Sequence, residues 1–190
     1  MGIKHFFIWY KKHFPDCIET INTDSNIQHA NIDNLCLDMN GIYHTCAQKI
    51  YQYGDFKKNK PLLRKQKPKN SLRWQLEMFK ETCQRINFYV KMVKPKKRLI
   101  LCVDGVAGFA KMSQQRQRRF KSAKDAEESK DTCDFNATCI TPGTKFMNFL
   151  SKYIDWYIRL MVSTDLEWQN IEIIFSNEKV PGEGEHKIIN

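Results

Sequence analysis

One stretch, Leu99 to Phe120, limits what this chain can become. It opens with Leu99-Ile100-Leu101-Cys102-Val103, an apolar run of strand length that reads as a buried strand. Asp104 stands at the C-terminal end of that strand and Gly105 begins the turn after it. In an open α/β sheet, ligands and reactive groups collect at the carboxyl ends of the strands. From Phe109 to Phe120 there is no Pro or Gly, so a helix is predicted. On it Lys111, Gln115 and Arg118 fall at i, i+4 and i+7, one face, with Arg119 at its edge. A strand-end carboxylate beside a face of donors suggests a site that holds a metal and grips a phosphate. The same residues also fit a plainer role, with Asp104 capping the next element and the basic run solvated.

The grammar recurs. Leu35-Cys36-Leu37 makes a short strand ending in Asp38, and His44 lies where the chain enters a helix. A lone His in such a place is more often structural than functional. Ile171 to Phe175 is a third strand, leading through Ser176 to Val180 into Pro181-Gly182-Glu183-Gly184-Glu185-His186-Lys187. Glycines flanking two glutamates let the backbone turn tightly and bring both carboxylates toward one point. Helical periodicity marks residues 3–14 (Ile3, Phe6, Phe7, Tyr10, Phe14, stopped by Pro15), where core packing is the default for the aromatics. It also marks Leu72 to Val90, capped by Asn70 or Ser71, and Phe146 to Met161. Residues 57–69 read as an exposed basic loop able to touch phosphates nonspecifically. Residues 121–134, charged or small, extend the basic helix or form a linker. Strands leading to acids with helices between them give an α/β fold with a mainly parallel central sheet flanked by helices.

A chain of 190 residues has material for one core. The excess of 31 Lys+Arg over 21 Asp+Glu, a net +10, favours a polyanionic partner, nucleic acid before a membrane surface. Net charge alone is equally compatible with a role in solubility. The seven cysteines include no C-x-x-C pair, which fits a reducing compartment better than a disulfide framework or a zinc site. No signal peptide, myristoylation signal or transmembrane run is present in the sequence. The expected setting is cytoplasmic or nuclear, the cytoplasm favoured.

Asp38, Asp104, Glu183 and Glu185 are expected to meet at one edge of the sheet. Packed carboxylates repel unless cations neutralise them, and hard oxygen ligands favour Mg²⁺ or Mn²⁺ over zinc. Metals held in this way activate water and stabilise a leaving oxygen in phosphodiester cleavage. An acidic edge beside a basic helix in a cationic chain therefore suggests a nuclease.

The blocks Leu37-Asp38-Met39-Asn40-Gly41-Ile42, Val103-Asp104-Gly105-Val106-Ala107, Ala110-Lys111-Met112, Gln114-Gln115-Arg116-Gln117-Arg118-Arg119-Phe120, Cys139-Ile140-Thr141-Pro142-Gly143-Thr144 and Val180-Pro181-Gly182-Glu183-Gly184-Glu185-His186-Lys187-Ile188 resemble, in order, the signatures of the XRN family of 5′→3′ exoribonucleases. The opening Met1-Gly2-Ile3 with Phe6-Phe7 resembles that family's start. The resemblance implies a PIN/FEN-like nuclease core, incomplete at its C-terminal end, with residues 1–190 as the N-terminal segment of a single nuclease domain. It implies that Asp38, Asp104, Glu183 and Glu185 are acidic ligands of a Mg²⁺ site. It implies that Lys111, Gln115, Arg118 and Arg119 hold the 5′-monophosphate of single-stranded RNA, and that His44 stacks on the first base. A fork of Arg donors suits a terminal phosphate, and stacking tolerates any base.

The chain departs from the family pattern at Gly108-Phe109, where Pro-Arg is usual, at Lys4, and in its longer basic segment. Beyond the Glu-Gly-Glu motif the family continues into further metal-binding aspartates and a stacking wall opposite His44, whereas this sequence reaches only Asn190. Two other readings stay open: a noncatalytic RNA-binding module and a flap-type DNA nuclease.

Overall fold

The structure is a computed structural model that describes residues 5–18, 31–54, 56, 72–128 and 135–189. It divides into two compact units, Met1–Asn31 and Ile32–Asn190.

In the first unit, α1 spans Phe6–His13 and a single 3-10 turn follows at Pro15–Cys17, where proline ends the helix as its geometry requires. None of the residues of α1 is buried, so the core role expected of its aromatics is not what this element shows. Helical spacing instead stacks the rings along the helix itself, Phe6 on Trp9 at 5.9 Å and Trp9 on His13 at 4.8 Å.

The second unit is built on three parallel strands, β1 (Asn34–Asp38), β2 (Arg98–Cys102) and β3 (Glu172–Ser176), in the order β1-β2-β3. Parallel neighbours require crossover connections. Here α2 (Met39–Tyr51) and α3 (Leu72–Val93) link β1 to β2, and α4 (Phe109–Glu128), α5 (Lys145–Thr164) and the short α6 (Leu166–Gln169) lie between β2 and β3. A six-residue helix, α7 (Gly184–Ile189), follows β3. The register pairs Asp38 with Cys102 and Cys102 with Ser176, so all three strands end level and their following segments leave from one edge.

The core explains why these elements form. Leu99 and Leu101 of β2 are fully buried with Tyr43 of α2, Met78 and Ile86 of α3, Leu150 and Ile154 of α5, and Trp168 of α6. Each such side chain stabilises the fold by about 1.5–3 kcal/mol on burial. Thr144 caps α5, its Oγ1 accepting the Met147 N–H at 3.2 Å, and the Trp168 indole N–H donates to Asn87 Oδ1 at 3.2 Å. The opposite row of the sheet, Cys36–Ile100–Ile174, is less covered: Cys36 is exposed and Ile174 is 41% exposed. Parallel sheets are normally covered on both faces, so the described residues form an α/β core that is not closed.

The charged run continues the basic helix to Glu128. The loop at 57–69, the expected caps Asn70 and Ser71, and Cys133 lie outside the described residues; the other six cysteines are free thiols. Among the described residues no helix is long and apolar enough to cross a membrane.

Candidate active site

The level strand ends set the acids. Asp38, the last residue of β1, is also the N-cap of α2, its Oδ1 accepting the Asn40 N–H at 3.2 Å. A carboxylate there also meets the positive end of the helix dipole. The plainer capping role expected for Asp104 thus falls to Asp38. Asp104 is held differently: its Oδ1 accepts the Gly184 N–H at 2.7 Å, its Oδ2 accepts Asn40 Nδ2 at 2.9 Å, and its own N–H donates to Asn40 Oδ1 at 3.2 Å. Asn40 therefore bridges the ends of β1 and β2.

Gly182, with φ +108°, turns the β3–α7 loop. A Cβ built on the buried Gly184 would lie 2.8 Å from Asp38 Oδ1, so the start of α7 backs directly onto the first acid. The Asp38 carboxyl is raised above its ordinary range by burial first, with Asp104, Glu185 and Glu183 adding repulsion against its hydrogen bond to Asn40. The four acids thus share one electrostatic neighbourhood. Among the described residues, however, no three His, Cys, Asp or Glu side chains are grouped closely enough to hold a single ion.

Lys111 answers part of this charge. Its Nζ lies 3.1 Å from Glu183 Oε2, with both side chains mostly buried. Spacing puts Lys111 on the face of Gln115 and Arg118, yet the first turn of α4 lies beside the Glu183 loop, and the ammonium goes there. The remaining predicted donors converge elsewhere. A cleft of about 330 Å³ is walled by Asn40 and His44 of α2, by Asp104 and Gly105, by Gln115, Arg118 and Arg119 of α4, and by Thr138, Thr141 and Pro142. Burial lowers the imidazole pKa of His44, the Arg118 guanidinium lowers it further, and Asp104 opposes both.

The cleft contains residues that sequence reasoning passed over. Asn40 has a legible signal, an amide two residues after a strand-end acid. Thr138 and Thr141 sit in a connector that reads only as turn chemistry.

Gly184→Ala tests how closely α7 and Asp38 are fitted. We expect a loss of about 1–3 kcal/mol from overpacking, read as a lower urea midpoint; an unchanged midpoint means that α7 withdraws freely from Asp38.

Comparison with known proteins adds a second line. A family profile described as "XRN 5'-3' exonuclease N-terminus" matches residues 1–190. The chain is 40% identical over 199 residues to "5'-3' exoribonuclease 1" of Schizosaccharomyces pombe and 37% identical over 201 residues to "5'-3' exoribonuclease 1" of Saccharomyces cerevisiae. It is 34% identical over 228 residues to "5'-3' exoribonuclease 2 homolog" of Caenorhabditis elegans. Each match covers 100% of this chain, but only 14%, 12% and 22% of the three relatives. Matched over its whole length in this way, the chain belongs to the XRN 5′-3′ exonuclease family.

Proposed function

We propose that this chain carries the phosphate-binding cleft and part of the cation site of a divalent-cation-dependent 5′→3′ exoribonuclease that prefers RNA with a 5′-monophosphate. The observation that carries the reading is a shared wall: Asp104, held by Asn40 and Gly184, lines the same cleft as His44, Gln115, Arg118 and Arg119. Two guanidinium groups and an amide suit a terminal phosphate, and the His44 ring on the same cleft wall would stack on the adjoining base. A 5′-hydroxyl would leave the two arginines without their anion, which is how such a cleft discriminates.

The donor chemistry fits a hard cation: each Asp104 oxygen keeps a spare lone pair beyond its one hydrogen bond, and Asp104, Glu185 and Glu183 add negative charge around Asp38. Asp38, Asp104, Glu183 and Glu185 would hold Mg²⁺ or Mn²⁺. When bound, such an ion supplies activated water and stabilisation of the leaving oxygen. This chain's own residues orient the 5′ end: Arg118 and Arg119 bind it, Gln115 and Thr138 line it, and Asn40 keeps Asp104 aimed. A cytoplasmic setting, in keeping with the free thiols, belongs to the same proposal.

The test is hydrolysis by the complete protein of RNAs differing only at the 5′ end, as monophosphate, triphosphate or hydroxyl, with and without Mg²⁺. Preference for the monophosphate with dependence on Mg²⁺ is expected. Arg118→Ala and Arg119→Ala should each reduce the monophosphate-over-hydroxyl preference by about 10- to 100-fold, the worth of a charge-assisted hydrogen bond of about 1.5–3 kcal/mol. Unchanged preference in both variants removes the cleft from the mechanism.

A noncatalytic RNA-binding module is the second reading. What favours it is the Lys111–Glu183 pair together with the lack of a three-ligand group among the described residues. Binding that depends on the 5′-phosphate, with no hydrolysis under any divalent cation, would decide for it. Faster cleavage of a 5′-phosphorylated DNA flap than of RNA would decide instead for a flap-type nuclease.

A further inference from the structure

The loop between β3 and α7 is laced to the segment after β2. Val103 N–H donates to Ser176 O at 2.9 Å, Gly105 N–H to Gly182 O at 2.8 Å, and Gly182 N–H to Val106 O at 2.9 Å. Gly184 N–H adds its bond to Asp104 Oδ1 at 2.7 Å. One further tie comes from a side chain that the proposed function leaves unused. Lys187 Nζ donates to Val103 O at 2.7 Å and to Asn177 O at 2.9 Å.

The three points joined by Lys187 are telling. Val103 immediately precedes Asp104, Asn177 opens the loop that carries Glu183, and Lys187 itself lies on α7 two residues after Glu185. Its stem runs beneath the turn at Gly182, where a Cβ would meet Lys187 Cγ at 3.8 Å and Cε at 3.9 Å. A part-buried ammonium with three donors and no acceptor can satisfy two strand-end carbonyls at once. A solvated surface lysine would make neither bond.

We propose that Lys187 is a positioning residue for the cation-binding acids: it fixes the separation of Asp104 from Glu183 and Glu185 by clamping the ends of β2 and β3 to α7. The proposal rests on the reading of those acids as cation ligands. Groups that orient ligands without touching the ion typically cost about 10- to 100-fold in metal affinity when lost.

The experiment uses the complete protein and Lys187→Met, which keeps the stem and removes the donors. Mn²⁺ binding is measured by calorimetry, and affinity for 5′-monophosphorylated RNA is measured separately without cation. The Mn²⁺ dissociation constant is expected to rise by about 10- to 100-fold, and the Mg²⁺ needed for half-maximal hydrolysis to rise with it. RNA affinity should hold, because the cleft's cationic and amide donors stand on α4 and His44 on α2, and Lys187 hydrogen-bonds to neither helix. Lys187→Arg, which can still donate to both carbonyls, should recover most of the Mn²⁺ affinity. If the methionine variant does not fold, Lys187→Gln, which keeps one donor group, takes its place in the same two measurements. A folded variant with wild-type Mn²⁺ affinity overturns the positioning role. A wild-type protein that binds no Mn²⁺ overturns the cation-site reading itself, and the two failures are told apart by which protein fails.

Discussion

Gly105→Ala is expected to cripple hydrolysis without altering a single acid. A Cβ at this position would lie 1.9 Å from Val180 O, 2.9 Å from Val180 C and 3.2 Å from Glu178 O. These are backbone atoms, so no side chain can rotate out of the way. The strain is one of space alone, since Gly105 does not have a positive φ. Either the 177–182 segment moves away or the chain after β2 does. In both cases the bonds from Gly105 N–H to Gly182 O and from Gly182 N–H to Val106 O are stretched. The Gly184 N–H then leaves Asp104, and the acids lose their common frame. Overpacking and two weakened backbone bonds together cost about 2–4 kcal/mol of stability.

A displacement of about 1 Å at the reacting groups is enough to lower the rate by about 100-fold. Urea unfolding and hydrolysis of 5′-monophosphorylated RNA by the complete protein measure the two effects. Gly108→Ala supplies the contrast, because a Cβ there meets nothing within 4 Å. If both alanine variants behave like the wild type, the lacing of the two segments does not position the acids.

The same lacing explains what could and could not be read from the chain beforehand. Asp38 and Asp104 were legible because a parallel α/β sheet delivers strand-end residues to one edge, and strand ends can be found from short apolar runs. Gln115, Arg118 and Arg119 were legible because helical spacing alone puts them together. Lys111 shows the limit of that argument. Spacing assigns it a face, but only the position of the Glu183 loop beside the first turn of α4 decides which anion its ammonium meets.

The bonds that Asn40 and Lys187 make could not be read from the chain for a related reason. Their partners are 64, 84 and 10 residues away in sequence, and two of those partners are main-chain carbonyls that carry no side-chain signature. The aromatics of α1 mark another boundary. Periodicity reports an apolar face, not what covers it, and in α1 the rings lie along their own helix.

Asp104→Ala is expected to lower hydrolysis by about 1000-fold or more, the scale of several kcal/mol of lost transition-state charge stabilisation. RNA binding should survive. Asp104 lines the cleft beside Arg118 and Arg119, so its removal takes a negative charge away from the bound phosphate, and affinity for 5′-monophosphorylated RNA should hold or rise. Alanine also strands the Gly184 N–H and the Asn40 amide, at about 1–3 kcal/mol, and lost activity alone could then reflect a loosened site.

Asp104→Asn separates the two causes. Its Oδ1 can still accept the Gly184 N–H, and a flip of the Asn40 amide limits the loss to one hydrogen bond, so the shape stays while the charge goes. Equal loss of hydrolysis in both variants, with Mn²⁺ binding weakened in both, assigns the effect to the carboxylate charge. If the asparagine variant keeps most of the wild-type rate, Asp104 serves to hold α7 in place and is not a cation ligand. If the alanine variant degrades RNA at the wild-type rate, Asp104 has no part in the reaction.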